Sequence, residues 1–158
     1  MGSHQEFTGG AAALSDVLEA VSAGFGLSCR VRVETADDGE IRASVDGEGA
    51  DALIGRGGQV IDALQYLSSQ VVSRAEGGGR SRVQLDAAGY RARREEALVK
   101  LAERAAAEAL EYGEEIELDA MTPHDRRIVH MALKDRTDVV TRSEGEEPRR
   151  RIVVEPAD

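Results

Sequence analysis

The chain has 158 residues, 41% of them hydrophobic and 32% charged, a balance that excludes a disordered chain and accommodates one ordinary domain or two small ones. Aromatics are scarce, Trp is absent and Cys29 is the single cysteine, so the core must be aliphatic and no intrachain disulfide can form. The net charge of −10 excludes a generally basic surface and confines any phosphate binding to local patches.

The opening Met1–Phe7 reads as a cloning remnant, and residues 1–10 as a tag or disordered segment outside the fold. No charged-then-apolar start suggests a signal peptide, and no apolar run approaches the roughly 20 residues of a membrane-spanning helix. Cytoplasm is the expected location, without membrane insertion.

Leu14, Val17, Leu18 and Val21 recur at helical spacing and predict a helix over 12–25, ended by Gly24 and Gly26. The period then changes to two. Cys29, Val31 and Val33 alternate with Arg30, Arg32 and Glu34, and Ile41, Ala43 and Val45 alternate with Arg42 and Ser44. With Asp37-Asp38-Gly39 between them, these form an antiparallel hairpin. One helical turn over 50–54 follows, broken at Gly55-Arg56-Gly57-Gly58. A longer helix runs from Gln59 to about Arg74, with Val60, Ile61, Leu64, Leu67, Val71 and Val72 on its apolar face. Beyond the Gly77-Gly78-Gly79 loop, Val83, Leu85 and Ala87 make a third strand. A three-stranded sheet with its helices on one face would bury this order.

A long helix is expected from about Tyr90 to Tyr112, with Gly113 closing it and a stripe of Leu98, Leu101, Ala105, Ala109 and Tyr112. It is read as the connector, over 89–113, between a first domain over 11–88 and a second over 114–158; the alternative is that it is the first element of the second domain. Glu96 and Lys100 form an i,i+4 pair on its outside. Ile116 and Leu118 suggest a short strand. Thr122-Pro123-His124-Asp125 is a helix start, with Thr122 as cap. Ile128, Val129 and Met131–Leu133 supply that helix's buried side. Val139–Ser143 and Arg149–Val154 read as a hairpin around Gly145.

Two segments carry candidate chemistry. In Leu53–Ile61 the glycines of the interrupted helix permit positive φ and close approach. The helix that follows is expected to offer unpaired N–H groups and its positive dipole end to a nucleic-acid backbone, with Arg56 adding a charge. A plain tight turn is the alternative. A Walker loop is excluded because no Gly-Lys-Ser/Thr follows. Gly47-Glu48-Gly49-Ala50-Asp51-Ala52 resembles a dinucleotide fingerprint but lacks the βαβ context. In Arg126-Arg127-Ile128-Val129-His130, Arg126 and His130 lie four apart and share a helix face. With Arg127 and Arg136 they could hold a phosphate. A structural histidine is the alternative. From Thr122 to Val154 eight Arg/Lys face six acids, so this stretch is locally positive. No catalytic constellation, metal-ligand spacing or cofactor motif is recognisable, and an enzyme is not expected.

An ordered series of segments resembles the Jag, or SpoIIIJ-associated, family of bacterial KH-domain RNA-binding proteins. It comprises Leu53-Ile54-Gly55-Arg56, Asp62-Ala63-Leu64-Gln65-Tyr66-Leu67, Asp86, Tyr90-Arg91, Arg94-Glu95-Glu96, Met121-Thr122-Pro123, Arg126–His130 and Gly145-Glu146-Glu147-Pro148. The resemblance covers roughly residues 12–156. It implies an α+β architecture: a type II KH domain, then a small α+β domain named for its Arg-x3-His motif, joined by a long helix. It also implies single-stranded RNA, or single-stranded DNA, as ligand. The contacts would come from Ile54, Gly55, Arg56, Gly57, Gly58 and Gln59 in one domain and from Arg126, Arg127, His130 and Arg136 in the other. The family usually has two basic residues inside the loop, whereas here the second is Gly57. A role in cell elongation, division or sporulation is implied, as is pairing with a small KH protein or a second copy. The competing expectation is an interaction or dimerisation scaffold built on the KH fold.

Overall fold

The computed structural model describes residues 9–157. The proposed cloning remnant, Met1–Phe7, lies outside the described residues. The chain divides into two compact units, residues 1–91 and 92–158. No helix among the described residues is long and apolar enough to cross a membrane.

The first unit begins with helix α1 (Gly10–Gly24), followed by strands β1 (Ser28–Thr35) and β2 (Ile41–Glu48). They pair antiparallel, with Val31 opposite Val45. Strand β3 (Val83–Ala87) lies parallel to β2, with Ala43 opposite Leu85. A parallel neighbour needs a crossover. Here the crossover is two 3-10 turns, Ala50–Leu53 and Arg56–Gly58, followed by helix α2 (Gln59–Ala75). Strand alternation sends Val33, Ala43, Val45, Leu85 and Ala87 to one face, where Leu14 and Leu18 of α1 and Ile61, Leu64 and Val72 of α2 cover them. The opposite face carries Arg30, Arg32, Arg42 and Gln84, all exposed. This is the expected one-sided sheet.

Two details of α2 differ from expectation. Its buried stripe is Ile61, Leu64, Ser68 and Val72. Leu67, expected on that stripe, is 51% exposed. It sits about 100° round the helix from Ser68, which takes the inward place. The second detail concerns the free edge of β3. Gln65 Nε2 donates to Val83 O at 2.7 Å, Leu85 N donates to Gln65 Oε1 at 2.8 Å, and Arg91 Nε donates to Leu85 O at 2.6 Å. Side chains therefore occupy three of the edge groups that a further strand would pair, Val83 O, Leu85 N and Leu85 O.

The second unit contains most of helix α3 (Tyr90–Tyr112), then β4 (Ile116–Glu117), α4 (Pro123–Leu133), β5 (Val139–Glu144) and β6 (Arg151–Pro156). The sheet order is β4-β6-β5, with both pairings antiparallel. Leu98, Ala102, Ala105, Ala106 and Ala109 of α3 pack in one core with Val129, Leu133, Val139, Ile152 and Val154. The four alanines let this helix approach its neighbours closely. Of the two readings open in the sequence, this packing makes α3 from Leu98 onward a part of the second core. Tyr112, expected on the stripe, is exposed.

On the other face of the second sheet Val153 is fully buried. Arg142, its partner in register, forms ion pairs with Glu115 at 2.6 Å, with Glu144 at 3.4 Å and with Glu155. Arg151 pairs with Glu117 at 3.0 Å on the neighbouring strands.

Candidate nucleic-acid interface

The loop between the 3-10 turns and α2 is shaped by what its glycines exclude. Gly55 has φ 72° and Gly58 φ 83°. A Cβ on Gly58 would lie 2.5 Å from Tyr90 Oη, and one on Gly55 would overlap the Val60 side chain. Only glycine fits either place. Between them Arg56 and Gly57 are exposed, and the Arg56 side chain makes no hydrogen bond or ion pair among the described residues. Ile54 is buried beneath the loop and belongs to the core; Gln59 is exposed at the start of α2.

The helix start does not offer the open donors expected of it. Val60 N and Ile61 N both donate to Ile54 O, at 3.0 and 3.2 Å, Gln59 N donates to Arg56 O, and Gly58 N reaches Gly55 O at 3.4 Å. The tight double turn folds the Ile54 carbonyl back over α2 and consumes these amides. What the tip presents to a ligand is a solvent-facing backbone at Arg56-Gly57 and one uncommitted guanidinium.

In the second unit Thr122 caps α4 as expected: its Oγ1 accepts from Asp125 N at 3.2 Å, with Pro123 in the first turn. Asp125 itself turns to Arg94 of α3, at 2.8 Å. Arg126 departs from expectation. It is only 8% exposed, not displayed beside His130 on an open face. Its Nη1 donates to Met121 O at 2.8 Å and its Nη2 to Glu147 Oε1 at 2.5 Å. The buried edge of α4 runs through Asp125, Arg126, Val129 and Leu133, and the arginine is tolerated there because both ends of its fork are satisfied. Met131, expected inside, is 46% exposed.

The exposed side of α4 carries Arg127, His130 and, at its C-cap, Lys134, spaced i, i+3 and i+7 and so on one face. His130 Nδ1 lies 2.6 Å from Thr141 Oγ1 on β5. Two residues along the same strand, and so on the same side of it, Ser143 Oγ accepts from Arg150 Nε at 2.8 Å. Arg136 is exposed, but Asp138 holds its guanidinium through two hydrogen bonds at 2.9 and 2.7 Å. That contact raises the Arg136 pKa and lowers that of Asp138. Arg127, His130, Lys134 and Arg150 thus form the basic patch, with Arg126 behind it. Thr141, Ser143 and Lys134 were not singled out in the sequence. Period-two alternation in β5, aligned with α4, is the signal that could have found the first two.

Two family models match these two units: the KhpA/KhpB KH domain over residues 14–85, and the domain named for its Arg-x3-His motif over residues 96–156. A protein named RNA-binding protein KhpB from Clostridium symbiosum is 37% identical over 140 residues, which are 88% of this chain and 63% of that protein. The chain belongs to the KhpB/Jag family. The proteins of the same name from Lactiplantibacillus plantarum and Bacillus subtilis are 40% and 34% identical over 102 and 116 residues, 65% and 72% of this chain. Those alignments cover 31% and 55% of the relatives, so the matched part of the chain spans from 31% to 63% of the length of these three KhpB proteins. In KhpB terms the loop at Gly55–Gly58 belongs to the KH domain. Arg126 and His130 are the Arg and His of the Arg-x3-His motif, and here the two have different environments.

Proposed function

We propose that this chain is a non-enzymatic, cytoplasmic binder of single-stranded RNA, acting as a post-transcriptional regulator linked to cell elongation, division or sporulation. The observation that carries the reading is Arg56: an exposed guanidinium, unpaired among the described residues, on a loop flanked by glycines that admit no side chain. A sugar–phosphate backbone can approach such a ridge closely and meet a charge. The relatives' shared name points the same way. The patch of Arg127, His130, Lys134 and Arg150 supplies a second place for phosphate. Fluorescence anisotropy with labelled single-stranded RNA octamers tests it: binding by the full chain, lost on Arg56→Asp with the fold intact, is expected. Equal affinity of the two proteins would move the site elsewhere.

A second reading, a KH-based dimer, is favoured by one observation. Tyr66 and Leu67, consecutive on α2, are 65% and 51% exposed. A second KH domain, from another copy or from a small KH protein, would cover them. Leu67→Asp should then leave the fold intact and abolish association in sedimentation velocity; a wild-type chain that remains monomeric at high concentration and with added KH protein rejects this reading.

A further inference from the structure

We propose that the carboxamide of Gln65 is a gate on the edge of β3, holding the place of a nucleobase that single-stranded RNA brings there; the proposal rests on the RNA-binding reading above. The Gln65 amide presents a donor beside an acceptor on one planar group. The donor meets Val83 O at 2.7 Å and the acceptor meets Leu85 N at 2.8 Å. The Watson–Crick edge of a base also sets a donor beside an acceptor, so the same two strand-edge groups can read either one.

Position supports the exchange. Gln65 lies seven residues along α2 from Gly58, roughly 10 Å at the helical rise. Gly58 packs against Tyr90, and the next residue, Arg91, caps Leu85 O at 2.6 Å. Loop and strand edge are therefore tied together through Tyr90-Arg91, within reach of one short single strand.

Chemistry supports it as well. Releasing Gln65 breaks its two neutral hydrogen bonds to the strand and the longer one from Arg91 Nη2, and a base that meets both strand groups and takes Arg91 on its acceptor restores all three, so the swap is close to balanced. Gln65 is half-buried, and its amide can turn to water or to Ser69 Oγ, already 3.5 Å from Nε2. Arg91 need not move. Its backbone N stays on Asp86 Oδ1 at 3.1 Å and its Nε on Leu85 O. Its Nη2, now 3.3 Å from Gln65 Oε1, would be left to donate to the acceptor of the incoming base. Gln65 thereby sets a threshold that a phosphate contact alone does not cross, and it favours ligands that offer a base edge over those that offer only charge.

The test uses the ¹⁵N-labelled full chain titrated with a randomised single-stranded RNA octamer. The Gly55–Gly58 amides report binding, and the Gln65 side-chain amide and Leu85 N–H report the gate. Expected at saturation is a Gln65 amide shifted to its solvent position with Leu85 N–H still hydrogen-bonded but moved. Gln65→Ala should bind about tenfold tighter, the scale of one net neutral hydrogen bond that no longer has to be broken. Loop shifts with the Gln65 and Leu85 signals unmoved overturn the gate and leave Gln65 a fixed cap of the sheet edge, while the RNA reading stands. No shift anywhere overturns the RNA reading itself. If Gln65→Ala does not fold, the wild-type titration decides alone.

Discussion

Arg126 and Glu147, 21 residues apart in sequence, meet at 2.5 Å in a lopsided ion pair: the arginine is 8% exposed and the glutamate side chain 53%. The contact pins the start of α4 to the loop between β5 and β6. It gives Arg126 a structural task at the position where the family motif suggests a ligand contact.

The first prediction follows from that pair. Arg126→Met removes the donor to Met121 O and leaves a buried carbonyl unsatisfied. The second unit should lose about 1–3 kcal/mol, read by thermal denaturation, while RNA affinity below the transition stays within about twofold. An unchanged melting temperature with lost affinity would return Arg126 to the interface.

Acid should loosen the same contact. The Arg126 hydrogen bond holds the Glu147 carboxyl below the usual glutamate range. Its folded pKa is therefore depressed, so the stabilisation is complete above the unfolded value and fades as pH falls through the folded one. Glu147→Gln should flatten that part of the acid limb of stability between neutral pH and pH about 3. Parallel acid limbs for variant and wild type would show that the pair contributes nothing.

Charge reversal at the KH loop is the third prediction. Arg56→Asp touches no packed side chain, so the melting temperature should hold. RNA affinity should fall at least tenfold, on the scale of one charge-assisted hydrogen bond worth about 1.5–3 kcal/mol.

Salt dependence is the fourth. If the full chain neutralises roughly two to five phosphates, log affinity should fall with log salt at a slope of about −1.4 to −3.5. Arg127→Ala with Lys134→Ala should make the slope shallower by up to about 1.4. An unchanged slope would take the α4 patch out of the interface.

Gly58 provides the fifth. Gly58→Ala places a Cβ at φ 83° and against Tyr90, so it should cost the first unit at least about 1–2 kcal/mol. Full stability of Gly58→Ala, measured by urea denaturation, would show that the loop relaxes around it.

The order of elements was legible in the sequence because periods of two and of 3.6 announce themselves in Val31-Arg32-Val33 and in Leu14, Leu18. The Thr122 cap and the Gly55–Gly58 turn were legible for the same local reason. What escaped was set by partners distant in sequence. The burial of Arg126 depends on Glu147, and Asp125 turns to Arg94 across 31 residues. Gln65 reads as an ordinary polar position on α2, and its hold on β3 exists only once the parallel crossover brings Val83 and Leu85 beside it. Hydrophobicity alone points Leu67 and Met131 inward, but it does not fix the centre of a helix's buried stripe, and both are exposed.

Arg142 answers to three carboxylates, whereas Arg126 has one among the described residues. Neutralising Glu115, Glu144 or Glu155 singly leaves two acids to hold the guanidinium opposite Val153. Such redundancy lets substitutions accumulate one at a time on that face with little penalty, each masked by the survivors. Glu147 has no understudy. Over long divergence the two kinds of contact should leave opposite traces, drift around Arg142 and constancy at Glu147.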